Sequence, residues 1–269
     1  YNLAQGSSNV FGYDAFGNIS DGIAAVAATG TVNILAGIYT DNLYVTKPVN
    51  IAGEDAALVT LYPALSAPNP GGSGSLPPGA SNLALVQAND VTISGLTLDG
   101  DNPDLTSSVL VGGADIDARN GIITDHSTPG IVYDNLTVHH CAIKNIYLRG
   151  IYASTGGTFN FYQNSAQNIR ANNASIALFN FGGAGTFDQN TVLDCNDAIS
   201  SNWSRGCIFT NNSVSNSLSG IHTDNAGNYA GSVADLIQDN TVSNSLSNGY
   251  GIQAPDRAPP AAGSTPHCR

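Results

Sequence analysis

A six-residue phrase recurs five times along the chain and limits its fold more than any other feature: a bulky apolar residue, two residues, Asn, one residue, then usually Val. It reads VYDNLT from Val132, FYQNSA from Phe161, FDQNTV from Phe187, FTNNSV from Phe209 and IQDNTV from Ile237. The Asn positions are 135, 164, 190, 212 and 240, which gives steps of 29, 26, 22 and 28 residues. A unit of that length cannot close a core by itself, so successive units must stack as coils of a solenoid.

Alignment on Asn gives the side-chain directions. Val132, Phe161, Phe187, Phe209 and Ile237 stand three positions before it, and Ala166, Val192, Val214 and Val242 two positions after it in the last four copies. Alternate residues of a strand share a face, so these columns are read as inward stacks. Thr137 breaks the second column in the first copy, where a register slip is expected. The Asn column is polar between two apolar ones. Its amides are expected to bond along the solenoid axis and its backbone to take a left-handed turn. A second polar column follows at Asn168, Asp194, Asn216 and Asn244. Sequons such as Asn135-Leu136-Thr137 are discounted, because a ladder amide leaves no room for a glycan.

A further column, Ile122, Ile146, Ile176, Ile199, Ile221 and Ile252, is read as inward. The residues one and three positions later then point out: Tyr147 and Arg149, Ala177 and Phe179, Ser200 and Asn202, His222 and Asp224, with Asp125 one coil before Arg149. This outward face is where function can reside.

With 269 residues and 42% hydrophobic content, the chain can bury a long core within one elongated domain, taken here as residues 1–254. A net charge of −12 with two lysines argues against a nucleic-acid partner. The most apolar stretch, Gly22 to Tyr39, is broken by Gly30, Asn33 and Gly37, so no membrane insertion is expected. The start at Tyr1 and the absence of Met point to a mature or excised product. Cys141, Cys195, Cys207 and Cys268 have no metal-type spacing. Cys195 and Cys207 are placed either as a disulfide or as buried thiols.

Ser20-Asp21-Gly22 before IAAVAA reads as a short capping helix over residues 19–29, with Ser20 as cap, covering the open end of the first coil. Residues 63–82, PALSAPNPGGSGSLPPGASN, leave the coil pattern as a long loop that is either a functional rim or mobile. The Pro-rich tail 255–269 is expected to be irregular or the stump of a longer chain.

The passage GTVNILAGIYTDNLYVTKPVNIAGED (Gly30 to Asp55), VTISGLTLDG and the Asn repeats together resemble right-handed parallel β-helix proteins of the pectate lyase-like superfamily. The resemblance runs from about Ser20 to Ala254. It implies an all-β fold, three parallel sheets around a narrow core, and in many members a carbohydrate groove on one outward face. The superfamily spans lyases, hydrolases, esterases, epimerases and adhesins, so fold alone does not select an activity. The chain lacks the paired Asp-Asp with Gly-His-Gly of polygalacturonases, the Gly-Ser-x-Asp-Phe of pectin methylesterases and the Trp-Ile-Asp-His of common pectate lyases.

Among the outward residues, Asp125, Arg149, His222 and Asp224 are the catalytic candidates. Arg149 suits a carboxylate, or can accept a proton if its pKa is strongly lowered, and the others suit acid–base steps. Tyr147, Phe179, Asn202 and Trp203 are the substrate-binding candidates, aromatic faces serving to stack on sugar rings. Asp197 is a candidate rim carboxylate. Asp99, Asp101 and Asp104 offer hard oxygen ligands for Ca²⁺, without the full set of an EF-hand loop. Asp115, Asp117 and Arg119 read as an extension of this acidic patch or as a salt-bridged edge. His139 and His140 are adjacent and are expected on opposite faces, which argues against a shared metal ion.

The expectation is an extracellular or cell-surface β-helix that binds a polysaccharide; whether it also degrades it, by elimination or hydrolysis, is left open, and binding without a defined reaction ranks close behind. The alternative is a non-catalytic adhesin or stalk segment, favoured by the missing catalytic patterns and by small outward residues such as Ala177 and Ser200.

Overall fold

The computed structural model describes residues 10, 12–71, 74–225, 233–246 and 249–254, so the tail assigned to 255–269 lies outside the described residues. The helix spans Ile19–Ala25 and buries Ile19, Gly22 and Ile23. Its cap is Asn18, whose Oδ1 accepts the Asp21 amide at 2.7 Å. Ser20, the expected cap, already lies inside the helix, and its amide donates to Asp41 at 2.9 Å. Lys47 closes the other end by donating to the Ala24 carbonyl at 3.0 Å, which places a cation at the negative pole of the helix.

Beyond the helix the chain winds through three parallel sheets of eight strands each. The first includes Val91–Ser94, Leu136–His139, Thr158–Tyr162, Ala184–Asp188, Ile208–Thr210 and Leu236–Gln238. The second includes Thr97–Asp99, Ala142–Lys144, Ser165–Gln167, Thr191–Leu193, Ser213–Ser215 and Thr241–Ser243. The third is built from Leu43–Val45, Asn82–Val86, Ala118–Thr124, Ile146–Ala153, Ile176–Phe181, Asp197–Ser204, Ser219–Asn225 and Ile252–Gln253. Among the described residues a small antiparallel pair, Leu110–Val111 with Ala114–Asp115, departs from this winding.

The Asn ladder lies at the corner between the first and second sheets. Asn164 Nδ2 donates to Asn190 Oδ1 at 3.1 Å, Asn190 Nδ2 to Asn212 Oδ1 at 3.0 Å, and Asn212 Nδ2 to Asn240 Oδ1 at 2.8 Å. Each Oδ1 also accepts the backbone amide of the preceding ladder residue. Two details of the sequence reading change. The ladder residue is not itself left-handed: the residue before it is, at Gln163, Gln189, Asn211 and Asp239, as is the second polar column at Asn168, Asp194, Asn216 and Asn244. In addition, the first copy is Val138-His139-His140-Cys141-Ala142-Ile143, and VYDNLT lies outside the ladder. Val138 pairs with Phe161, Ile143 with Ala166, and the Cys141 amide donates to Asn164 Oδ1 at 3.1 Å. The false copy was mimicked by Asn135, which is exposed and left-handed and donates to Asp90 at 2.8 Å. Val132 is likewise 46% exposed, so it belongs to no inward stack. The space argument against a glycan at Asn135 does not hold there.

Phe161, Phe187 and Phe209 run down the core, with Phe187 and Phe209 stacked at 5.0 Å between centroids. Cys141, Cys195 and Cys207 are buried free thiols, so the Cys195–Cys207 disulfide is not formed.

On the third sheet the register runs Ile122, Ile151, Leu178, Ile199, Ile221, Ile252. Ile146 and Ile176 are therefore not members of that column. Ile146 pairs with Ala118, and Ile176 pairs with Arg149 in a separate outer cluster. The cause is a local break in alternation. Ala177 and Leu178 both enter the main core, as do Ala198 and Ile199, so two consecutive residues face inward. Ala177, expected outside, is fully buried. The outward column after this bend is Ile123, Tyr152, Phe179, Ser200, His222, Gln253.

Candidate functional site

Residues 63–71 and 74–81 fold back on the outer side of the third sheet. Asn120 Nδ2 donates to the Ser75 carbonyl at 2.7 Å, Arg119 Nη1 to the Pro68 carbonyl at 3.1 Å, and Ser75 Oγ meets His126 Nε2 at 3.2 Å. Leu76 packs on an outer cluster of Ile123, Tyr152, Ile176 and Phe179. The aromatic rings beneath Leu76 are thus held under cover.

Arg149 stands beside this cluster. Its guanidinium lies 4.8 Å from the Phe179 ring centroid and 5.6 Å from that of Tyr152, a cation–π arrangement, and Nη1 donates to the Ala174 carbonyl. Nε is buried without a hydrogen-bond partner. Burial pushes the guanidinium down to about 10, still far above neutral pH. Arg149 is therefore a cation able to receive an anion.

Two strands along the same column is Asp197, through Ile176. Burial raises its carboxyl above the ordinary range, and this outweighs the opposing effects of the Ser219 hydrogen bond, His222 and Arg149. One strand further, His222 Nδ1 lies 3.2 Å from Ser200 Oγ, and Ser200 Oγ donates to Asn202 Oδ1 at 3.2 Å. A hydroxyl has one proton to give. Ser200 spends it on Asn202, which makes His222 Nδ1 the donor of this pair and leaves Nε2 as the ring nitrogen for another partner. The Tyr250 ring meets that of His222 edge-on at 5.8 Å, and burial, with Asp197 adding to it, pushes the phenol up to about 12.

Of the residues singled out in the sequence, the structure brings Arg149 and Phe179 into contact and links His222 to Asn202 through Ser200. The others are engaged elsewhere. Phe179 is 3% exposed, between Tyr152 and Arg149, so its face is not open to a sugar ring. Tyr147 is 8% exposed in a cluster with Ile116 and Leu148, under the Arg119 guanidinium. Asp224 is buried and accepts the amide of Trp203, which is left-handed at φ 57°. Asp125 accepts from Gln87 Nε2 at 2.7 Å and the Ser127 amide at 2.8 Å. Burial pushes its carboxyl up, but the bonds from Ser127 and Gln87 prevail and hold it below the ordinary range.

Asp99 is 5% exposed, pairs with Lys144 at 3.0 Å and accepts Asn145 Nδ2 at 2.7 Å. Burial and neighbouring Asp99 raise the Asp101 carboxyl, and the Asp104 amide donates to Asn102 Oδ1 at 3.0 Å. No group of three or more His, Cys, Asp or Glu among the described residues converges as a metal site. Asp117 and Arg119 are both buried without pairing, Asp117 accepting the Asn102 amide at 3.1 Å. Tyr152, Ser219 and Tyr250 were missed, because only the break in alternation reveals that Tyr152 belongs to the outward column.

Three parallel sheets closed around a continuous apolar core, with a helix over one end, make this chain a right-handed parallel β-helix with the pectate lyase-like fold. Among solved structures the fold recurs in the pectin methylesterase from Yersinia enterocolitica, at 16% identity and a TM-score of 0.50 over 75% of this chain and 70% of that one. Pectin methylesterase PemA from Erwinia chrysanthemi matches at 16% identity and a TM-score of 0.47 over 80% of this chain, which spans 64% of that enzyme's length. At these identities the likeness concerns the fold. No family model and no curated protein sequence matches the chain. Among the described residues no helix is long and apolar enough to cross a membrane.

Proposed function

We propose that the chain is a secreted or cell-surface enzyme that modifies a uronate-containing polysaccharide on the outer face of the third sheet, by β-elimination. The observation that carries this reading is the arrangement of Arg149, Asp197 and His222 on one face, with Asp197 held toward its protonated form. Arg149 neutralises the uronate carboxylate, which acidifies the carbon-bound hydrogen beside it. His222 Nε2 takes that proton, and the electron pair forms the carbon–carbon double bond as the glycosidic carbon–oxygen bond breaks. Asp197 delivers its proton to the departing oxygen. Hydrolysis by Asp125 and Asp224 has less support, since both carboxylates are committed to neighbouring donors. Ca²⁺ held near Asp99, Asp101 and Asp104 remains a proposal from the sequence, and its place is an assay variable.

The test incubates the protein with polygalacturonate, alginate, methyl-esterified pectin and a neutral glucan, with and without Ca²⁺. Unsaturated products, reducing ends and methanol are followed together. Unsaturated product from an acidic polymer, abolished by Arg149→Ala and by Asp197→Asn in folded protein, is expected. Reducing ends or methanol without unsaturation overturn the elimination, and silence on all readouts overturns the enzyme.

A further inference from the structure

On the far side of the molecule from Arg149, at the corner between the first and second sheets, a cavity of about 580 Å³ is lined by Glu54, Asp55, His139, His140, Gln163 and Gln189 among others. Gly53 and Gly95 also line it and face each other across successive coils, where a Cβ on either would overlap the other's carbonyl. Below these glycines the same corner carries the two histidines.

Adjacent residues on a strand face opposite ways, yet these two rings converge. His140 is left-handed at φ 52°, the turn conformation of this corner, and that rotation returns its ring to the side of His139. The two Nδ1 atoms lie 2.8 Å apart with the rings edge-on at 84°. His139 is fixed further by stacking on Tyr162, 4.7 Å between centroids and 13° from parallel.

We propose that His139 and His140 form a divalent transition-metal site, with Cu²⁺ the preferred ion. With metal–nitrogen bonds of about 2.0–2.1 Å, donors 2.8 Å apart subtend about 84–89° at the ion. That is the right angle of adjacent positions in a square-planar or octahedral shell, and it is narrower than the tetrahedral angle of structural zinc. The rest of the lining suits a cation. Glu54 and Asp55 stand outside the reach of the two rings and add negative charge to the lining, each with one oxygen engaged by a backbone amide, and no Lys or Arg lines the cavity. Gln163 gives its amide nitrogen to Gln189 Oε1 at 3.3 Å, which leaves its own carbonyl oxygen as an acceptor. Both imidazoles must be the Nε2–H tautomer to bind, which leaves each Nδ1 lone pair for the metal.

The experiment titrates Cu²⁺, Ni²⁺ and Zn²⁺ into the full chain without an affinity tag, by calorimetry, and records the electron paramagnetic resonance spectrum of the Cu²⁺ form. Saturable one-to-one binding in the order Cu²⁺ above Ni²⁺ and Zn²⁺, with two equatorial nitrogens in the spectrum, is expected. His139→Ala and His140→Ala should each weaken Cu²⁺ by more than about 100-fold, beyond the roughly 10–100-fold of losing a mere supporting group. A spectrum with no imidazole nitrogen, no saturable uptake, or affinities unchanged in both variants overturns the site and leaves a hydrogen-bonded imidazole pair. The spectrum of the unaltered protein decides the question even if a variant does not fold.

Discussion

Asn164 and Asn190 are joined twice across one step of the solenoid: the backbone amide and the side-chain Nδ2 of Asn164 both donate to Asn190 Oδ1, at 3.1 Å each. Asn190 repeats the pattern on Asn212, and its own Nδ2 also donates to the Phe161 carbonyl at 2.8 Å. Asn164, Asn190 and Asn212 are buried, so removing one of them strands donors and acceptors that water cannot reach.

Asn190→Ala is therefore expected to cost about 2–4 kcal/mol, since it orphans the Asn164 amide and the Phe161 carbonyl together. Urea unfolding followed by circular dichroism measures this. A loss within a few tenths of a kcal/mol would show that the rung is only a by-product of the coil.

Cys141 occupies the rung above Asn164, where its thiol lies 3.7 Å from the Ile93 carbonyl. Each lower rung donates an amide to the equivalent carbonyl of the coil before it. Cys141→Asn should extend the ladder and raise stability by about 1 kcal/mol. A lowered Tm in thermal denaturation would mean that Leu96, fully buried one rung further up, leaves the amide no room.

Asp197 couples stability to pH. Its carboxyl is raised in the folded protein, so the fold holds that proton more tightly than the unfolded chain does. The resulting stabilisation is complete below the ordinary value of 3.8 and is lost as pH rises through the folded value. Asp197→Asn cannot ionise. It should be more stable than the parent at neutral pH, equal to it at strongly acidic pH, and inactive on any substrate found. Equal stability of the two proteins at both pH values would remove the case for a raised carboxyl.

The thiols should be silent in the folded state. Burial pushes Cys141 and Cys195 up to about 12 and raises Cys207, so almost none of the reactive thiolate is present at neutral pH. Alkylation mapped by mass spectrometry should leave these three unmodified until denaturant is added. Rapid native labelling at any of them would contradict the burial.

The fold was legible in the sequence because its periodicity is written in few residue types: Phe and Val inward, Asn at the corner. That same economy misled in one coil. Asn135 has the right neighbours in the sequence but stands outside the ladder, while Cys141 holds the rung without the letter that marks it. The site was only partly legible. Arg149 and His222 emerged from simple alternation, but Tyr152 did not, because alternation fails where two successive residues turn inward. Asp224 and Phe179 have the right chemistry in the wrong setting. Only packing shows that one caps a turn and the other lies beneath a guanidinium.

The ladder divides the molecule into a side that cannot vary in length and a side that can. From Val91–Ser94 onward, every passage from the first sheet to the second crosses just two residues, since a third would pull a rung out of line. Entry to the third sheet has no such tie: Lys144 is separated from Ile146 by a single residue, whereas the hairpin-bearing stretch between Asp99 and Ala118 is far longer. Chain inserted there costs little more than the entropy of closing a longer loop. Descendants of this sequence are thus free to remodel the surroundings of Arg149 by lengthening loops, coil by coil, while the opposite corner keeps the count.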